Sequence, residues 1–142
     1  MIEAAVVDAS VAIKWVVEEE GSDRARLLAS AKLEAPDLLP IECANILWRK
    51  VRLGDLRGEG AAERLALLLR SPVTLIGSRE LLDAALRLSL DLGHPVCDCV
   101  YLALAIRDGI PLLTADRRLS NAVRKRKKVA SHIRLLAEIP LP

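Results

Sequence analysis

Phenylalanine is absent from this sequence, and only three residues are aromatic, Trp15, Trp48 and Tyr101. The core must therefore be filled mainly by Leu, Val, Ile and Ala, and a 142-residue chain with 52% hydrophobic residues has enough of them to form one. Proteins that bind single-stranded nucleic acid by stacking its bases need rows of aromatic side chains. That mode of binding is not expected here.

The sequence also lacks long hydrophobic runs and a paired set of cysteines. No stretch reaches the roughly 18 uncharged apolar residues of a membrane span. No segment typical of a signal peptide precedes the first apolar run, AAVVDAS. The three cysteines, Cys43, Cys97 and Cys99, are odd in number, which does not favour a disulfide framework. We therefore expect a protein of the reducing cytoplasm that crosses no membrane.

The basic residues are unevenly distributed, although the formal net charge is only +2. Residues 124–128 are all Arg or Lys. Such a run is either a solvated helix end or a surface that contacts nucleic acid. The sequence leaves both interpretations open.

Short apolar runs alternate with helix-like segments along the chain, and neither a repeat nor a linker interrupts them. This pattern predicts an α/β sandwich, a parallel sheet with crossover helices, in one domain of residues 1–142. The predicted strands are 4–7, 35–39, 73–76, 111–114 and 132–136. The predicted helices are 11–19, 22–32, 41–53, 60–69, 79–92, 98–108 and 117–127.

Two acidic residues follow predicted strands directly. Asp8 ends the first strand in VVDAS, and Asp116 follows the fourth in LLTAD, with Thr114 two residues earlier on the same face. Ligands of parallel sheets bind beyond the carboxyl ends of strands, where the strand order reverses, so both acids are candidate site residues. Each could instead be a local helix or turn cap, with Ser10 as the predicted N-cap of the first helix.

Glu42 lies in the first turn of a predicted helix, just after Pro40. The predicted apolar stripe of this helix is Ile41, Ala44, Leu47 or Trp48, and Val51. The predicted polar face is Glu42, Asn45, Arg49 and Arg52. An acid that shares a face with two arginines could act next to bound phosphates. The alternative is a glutamate that only complements the helix dipole, at about 0.3–1 kcal/mol.

Asp98 lies at the start of the least polar segment, HPVCDCVYLALAI. The helix that follows is apolar on every side and must be buried all round, which leaves its first turn for a polar group. A thiol metal site is not expected, because Cys97 and Cys99 are two residues apart and do not face one another on a helix. Two cysteines also fall short of the four ligands of structural zinc. Asp98 is then either a helix cap or a catalytic acid.

These four acids, if they meet, would form a site made of oxygen ligands. Such donors select Mg²⁺ or Mn²⁺, which keep bound waters and contact substrate phosphates. The site could then deprotonate a water and stabilise the charge of a phosphodiester under in-line attack. Without metal the carboxylates would repel one another, and some would stay protonated.

Four segments resemble, in order and spacing, the PIN-domain ribonucleases, and in particular the VapC-type toxins of toxin–antitoxin pairs. The segments are VVDASVAIKW, PIECANIL, CDCVYLALA and LLTADRRL, and the resemblance covers nearly the whole chain. It implies a three-layer sandwich around a parallel sheet of about five strands in the order 3-2-1-4-5. It also implies a Mg²⁺- or Mn²⁺-dependent endoribonuclease that cuts single-stranded RNA. From the four acids we expect that water attacks phosphorus and leaves a 5′-phosphate and a 3′-hydroxyl.

The resemblance also assigns residues and partners. It makes Asp8, Glu42, Asp98 and Asp116 the catalytic and metal-binding acids, supported by Ser10, Thr114 and Asn45. Tyr101 matches the family pattern and is expected to pack in the core. Cys97 and Cys99 depart from the pattern and are expected to be small buried fillers. The implied partners are single-stranded RNA, a small antitoxin that docks near the active groove, and a second copy of the chain.

Three rival classes were compared with the same residues. A phosphatase of the haloacid-dehalogenase type needs a second aspartate two residues after the first, where this chain has Ser10. A receiver domain needs an acidic pair before its acceptor strand and a lysine after the last strand, and neither is evident. The remaining rival is a PIN-like RNA-binding protein that has lost catalysis. The presence of all four acids favours the enzyme.

Overall fold

A computed structural model describes residues 2–142, and within them the five strands form one parallel sheet. The strands are β1 (Ala4–Val7), β2 (Lys32–Pro36), β3 (Val73–Ile76), β4 (Leu112–Thr114) and β5 (Ile133–Leu135). Their order in the sheet is β3-β2-β1-β4-β5, and each neighbouring pair is parallel. The predicted fold class and strand order are therefore confirmed.

Seven α-helices in residues 2–142 flank this sheet. They are α1 (Ala9–Ala12), α2 (Ser22–Arg26), α3 (Leu39–Arg52), α4 (Gly58–Leu69), α5 (Leu82–Leu92), α6 (Val96–Asp108) and α7 (Arg117–Arg124). Short 3₁₀ turns extend several of them, such as Ile13–Trp15 after α1 and Leu27–Ser30 after α2. The predicted helices 11–19 and 22–32 are therefore each shorter α-helices that continue as 3₁₀ turns.

The centre of the sheet is buried on both faces, as expected for parallel strands covered by helices, whereas the edge strand β3 is partly exposed. Because side chains alternate along a strand, Val6 and Leu112 belong to the core on one side, with residues of α3, α5, α6 and α7. Val7 and Leu113 belong to the core on the other side, with residues of α1 and α2. The result is three layers, with the central strands β1 and β4 completely enclosed.

Helix α6 is the centre of the larger core. Seven consecutive residues, from Cys99 to Ala105, are buried, which confirms that this helix is enclosed on every side. In residues 2–142, no single helix is long and apolar enough to cross a membrane. In this part of the chain, only two consecutive segments taken together, Arg79–Leu92 and Val96–Asp108, are long and apolar enough. These segments are bent by 114° at their junction.

Three local predictions were wrong. The second strand runs over Lys32–Pro36 rather than 35–39, because Leu39 already belongs to α3 and the Lys32 and Glu34 side chains alternate with the buried Leu33. The buried face of α3 is Leu39, Cys43 and Leu47, so of the predicted stripe only Leu47 is buried, whereas Ile41 is 72% exposed and Trp48 is 54% exposed. Cys97 is exposed, so only Cys99 is a buried filler.

The enclosed position of α6 yields a stability prediction. Leu104→Ala removes a fully buried side chain and should lower the free energy of unfolding by about 2–5 kcal/mol. Leu69→Ala, at a leucine that is 61% exposed on α4, is the matched control and should cost less than about 1 kcal/mol. Urea unfolding measures both. Equal losses in the two variants would contradict the assigned core.

Candidate active site

Asp8 is the best-connected acid of the structure. It caps the N-terminus of α1, and its side chain is only 5% exposed. Its Oδ1 accepts hydrogen bonds from the Ser10 hydroxyl at 2.5 Å and from the Val11 N–H at 3.3 Å. Its Oδ2 accepts one from the Thr114 hydroxyl at 2.5 Å. The cap is therefore Asp8 and not Ser10, which lies inside α1 and supports Asp8.

The Asp8 network joins the ends of two neighbouring strands. Ser10 Oγ lies 3.3 Å from Thr114 Oγ1 and also accepts the N–H of Ala115 at 2.8 Å. Because β1 pairs with β2 on one side and with β4 on the other, this is the point where the strand order reverses. The two hydroxyls therefore hold the Asp8 carboxylate at the edge where a parallel sheet binds its ligands.

Asp116 joins the same network through its backbone. Its N–H donates to Thr114 Oγ1 at 3.0 Å. Its carboxylate caps α7 and accepts the N–H groups of Arg118 at 2.9 Å and Leu119 at 3.4 Å. Asp116 thus has the cap role predicted as its alternative, and it also lies directly beyond the end of β4.

Glu42 is tied to α6 by Tyr101. The Tyr101 hydroxyl donates to Glu42 Oε1 at 2.5 Å, and the ring itself is completely buried. Burial, together with the contact with Glu42, raises the pKa of Tyr101, so the phenol stays protonated and keeps donating. Tyr101 is therefore a core residue, as expected, but it also positions an acid. The available signal was that a tyrosine in a fully buried helix needs a polar partner for its hydroxyl.

Asp98 contacts His94, a partner that the sequence did not reveal. His94 Nε2 lies 2.6 Å from Asp98 Oδ2, four residues apart in sequence. The N-cap of α6 is Pro95, so Asp98 is the third residue of the helix and the prediction that it starts the helix as a cap was wrong. Its carboxylate in the first turn still complements the helix dipole.

Two cysteines near the acids, Cys99 and Cys43, are protonated in the metal-free chain. Burial raises the pKa of Cys99 to about 11, and the negative charge of Asp98 adds to the effect. Burial likewise raises the pKa of Cys43 to about 12. Both remain thiols near neutral pH, and Cys97 is an exposed residue of α6. The oxygen ligands remain the relevant donors.

Asp98 lies within electrostatic reach of both the Asp8 and the Glu42 carboxylates. Burial, with a smaller contribution from the charge of Asp98, raises the pKa of Asp8 to about 6 against the lowering effect of the Ser10 and Thr114 hydrogen bonds. Burial also raises the pKa of Glu42, the bond from Tyr101 opposes this, and Asp98 again adds. The site therefore concentrates negative charge, which a cation would neutralise.

Each of the four acids is directed towards a different local donor. Asp8 faces Ser10 and Thr114, Glu42 faces Tyr101, Asp98 faces His94, and Asp116 faces the start of α7. Within residues 2–142, no three His, Cys, Asp or Glu side chains are grouped closely enough to ligate one metal ion. The donors still fit Mg²⁺ or Mn²⁺, because such ions bind through one or two carboxylates and keep several waters.

A cavity of about 300 Å³ opens beside Glu42. It is lined by Ala9, Ile41, Glu42, Asn45, Ile46 and Arg49. Three of the four residues of the predicted polar face of α3 are thus together. The fourth, Arg52, instead places its guanidinium 5.3 Å from the centre of the Trp48 ring. Arg49 is therefore the arginine of this face that lies near an acid of the site.

The raised pKa of Asp8 predicts a pH-dependent stability in metal-free protein. The pKa is about 6 in the folded chain against an ordinary value of 3.8, so folding favours the protonated acid. The protonated acid therefore contributes about 3 kcal/mol to the free energy of unfolding. This contribution is fully present below the ordinary pKa of the carboxyl group and is lost as the pH rises through its pKa in the folded chain. Between about pH 4.5 and about pH 8, the free energy of unfolding of wild type should fall by roughly 2 kcal/mol more than that of Asp8→Asn. Urea unfolding in EDTA measures the difference, and an equal pH response of both proteins would contradict it.

Comparisons with known proteins are consistent along most of the chain. A family model described as PIN domain matches residues 5–125. Ribonuclease VapC3 of Pyrobaculum aerophilum is 38% identical over 119 residues, which cover 81% of this chain and 91% of the relative. Exonuclease VapC9 of the same organism is 30% identical over 106 residues, which cover 75% of this chain and 70% of the relative.

Solved structures show the same fold. The crystal structure of PAE2754 from Pyrobaculum aerophilum matches with a TM-score of 0.69 at 26% identity, over 96% of this chain and 85% of that chain. VapC20 of Mycobacterium tuberculosis, described as a Sarcin-Ricin loop cleaving toxin, matches with a TM-score of 0.64 at 17% identity, over 83% and 94% of the two chains. The family match, the identity of the relatives and the shared fold show that this chain belongs to the PIN-domain family and is a VapC-type member of it.

Proposed function

We propose that this chain is a Mg²⁺- or Mn²⁺-dependent endoribonuclease that cleaves single-stranded RNA and serves as the toxin of a VapBC-type toxin–antitoxin pair. The observation that carries the proposal is the position of Asp8. It is a buried carboxylate at the reversal of strand order, held by two hydroxyls and within electrostatic reach of Asp98. An acid with so raised a pKa at a ligand-binding edge is typical of a functional site.

The proposed roles follow from the contacts of each residue. Asp8, Glu42, Asp98 and Asp116 would hold the metal. A bound cation of this kind activates water and stabilises the negative charge that develops on the phosphate. Ser10 and Thr114 orient Asp8, and Tyr101 orients Glu42. Asn45 and Arg49 line the cavity beside Glu42, where a guanidinium can hold a phosphate of the RNA chain. Water attack at phosphorus would leave a 5′-phosphate and a 3′-hydroxyl.

A basic surface supports a polyanionic substrate. Seven of the twelve residues 117–128 are Arg or Lys, none is acidic, and all seven basic side chains are exposed. Two of them are engaged in ion pairs, Arg124 with Glu138 and Arg126 with Asp91. The basic surface starts next to Asp116 and extends along α7, whose eight residues span about 12 Å. Its position fits an RNA backbone that passes the acids and continues over α7.

Exposed apolar side chains support the proposed protein partners. Leu82, Leu86 and Leu90 recur every fourth residue on α5 and are 48%, 50% and 76% exposed. A leucine stripe can pack against its own copy, which is the arrangement that a two-fold homodimer needs. Ile41, which lines the cavity, and Trp48 are exposed on α3 and would contact the antitoxin. We take residues 1–142 as a single PIN-like domain in these complexes.

The test of activity uses the purified chain without any co-purified partner. Wild type should cleave labelled single-stranded RNA with Mn²⁺ and not with EDTA. Asp8→Asn and Asp98→Asn should each lower the rate by at least about 100-fold, with unfolding still cooperative, because each removes a charged oxygen ligand. Asp83→Asn, at a surface acid whose side chain is 80% exposed, is the control and should keep full activity.

Two further results would contradict the proposal. Full activity of both Asp8→Asn and Asp98→Asn would contradict the assignment of these two acids to the active site. Binding of RNA by wild type without Mn²⁺-dependent cleavage would instead favour the PIN-like RNA-binding protein that has lost catalysis. Because VapC9 is named as an exonuclease, a circular single-stranded RNA should be included. An endonuclease opens it, whereas an exonuclease leaves it intact.

The basic surface predicts a salt dependence of RNA binding. Each phosphate contact of a single strand contributes about 0.7 to the slope of log affinity against log salt concentration. The triple variant Lys125→Ala, Lys127→Ala and Lys128→Ala should therefore lower that slope by about 2. The control variant Arg57→Ala, Arg70→Ala and Arg79→Ala has the same change of charge at exposed positions on other elements. Fluorescence anisotropy in EDTA measures both, and equal slopes would contradict the proposed RNA path.

A further inference from the structure

His94 contacts Asp98 from the short connection between α5 and α6. Its Nε2 lies 2.6 Å from Asp98 Oδ2. The imidazole is only 13% exposed, while the Asp98 side chain is 31% exposed and lies within electrostatic reach of Asp8 and Glu42. A contact this short between a nearly buried ring and a proposed metal ligand is directional, so it determines how the carboxylate is oriented.

The backbone of His94 is held from both helices. Gly93 ends α5 with a φ of 64°, a left-handed conformation that favours glycine, and Pro95 is the N-cap of α6. The His94 carbonyl accepts the Ser89 hydroxyl at 2.5 Å, and the Cys99 thiol lies 3.8 Å away as a second, weaker donor. The ring therefore starts from a fixed backbone, which is what a precise side-chain contact requires.

We propose that His94 is a positioning residue, which donates its Nε2–H to Asp98 and so keeps this carboxylate turned towards the metal. The role rests on the proposed function, since it concerns the acid site of that reaction. A neutral imidazole with its proton on Nε2 and an imidazolium both donate at this atom, so the role does not depend on the charge of the ring. Groups that hydrogen-bond to metal ligands typically contribute about 10- to 100-fold to metal affinity or activity.

Two polar substitutions separate positioning from packing. In His94→Gln the amide group can reach about the position of Nε2 and can still donate to Asp98. In His94→Asn the amide ends one carbon–carbon bond earlier and cannot reach Asp98 from the same backbone. The chain has one other histidine, His132, and His132→Asn provides a control of the same chemistry away from Asp98.

The primary measurement is Mn²⁺ binding by titration calorimetry or electron paramagnetic resonance, without RNA. His94→Asn should raise the dissociation constant by about 10- to 100-fold, whereas His94→Gln should restore most of the affinity and His132→Asn should equal wild type. In RNA cleavage, His94→Asn should need more Mn²⁺ for half-maximal rate and approach the wild-type rate when Mn²⁺ saturates. Urea unfolding in EDTA reports any change of stability separately.

Equal Mn²⁺ affinity of wild type and His94→Asn overturns the role of His94 and leaves the proposed function standing. Failure of His94→Asn to fold in EDTA also overturns it, because His94 would then be a structural residue. Wild type that neither binds Mn²⁺ nor cleaves RNA overturns the proposed function itself. Weak binding by the Asn variant together with recovery by the Gln variant supports the role.

Discussion

Burial of carboxylates close to one another is the constraint on which this site depends. Burial raises the pKa of both Asp8 and Glu42, and the negative charge of Asp98 adds a smaller effect to each. The folded chain tolerates this because each acid has a hydrogen-bond donor of its own, supplied by hydroxyls, an imidazole or helix N–H groups. The same arrangement explains why no three of these side chains within residues 2–142 form a ready metal cluster. A cation would change the balance by attracting the oxygens that now repel one another.

Helix α6 connects the hydrophobic core to this site. Because the helix is enclosed from Cys99 to Ala105, its first turn has a fixed position relative to the sheet. That turn holds Asp98, and Tyr101 on the next turn reaches across to Glu42 on α3. The reversal of strand order between β1 and β4 adds Asp8 and the Thr114 hydroxyl at the same edge. Core packing and site geometry therefore depend on the same few residues.

The sequence predicted the parts of the structure that depend on local pattern. The strands 4–7 and 73–76 were located to the residue, because turn and cap residues bound short apolar runs there. The buried helix around VYLALAI was predicted from its composition. The candidate acids Asp8 and Asp116 were predicted from their positions at the ends of strands. Strand β2 was misplaced because the run APDLLP has apolar residues both at the end of the strand and at the start of the next helix. The apolar pattern alone does not show where the strand ends and the helix begins.

The contacts that were missed link residues through tertiary structure. Tyr101 and Glu42 are 59 residues apart in sequence, and nothing local to either predicts their bond. The buried face of α3 was assigned wrongly because the helix has apolar residues on two sides, and only its neighbours determine which side is covered. His94 was given no role by the sequence pattern. Its pairing with Asp98 depends on the bend at Gly93 and Pro95, which sequence periodicity does not describe.

In the proposed site these acids share one divalent cation at the carboxyl edge of the sheet. Crystals grown with Mn²⁺ and measured at the manganese absorption edge show whether they do, because the anomalous signal locates the ion without reference to the protein. An anomalous peak is expected within about 2–2.5 Å of carboxylate oxygens of Asp8 and Asp98. An anomalous peak elsewhere on the chain, or none at this edge at saturating Mn²⁺, would contradict it.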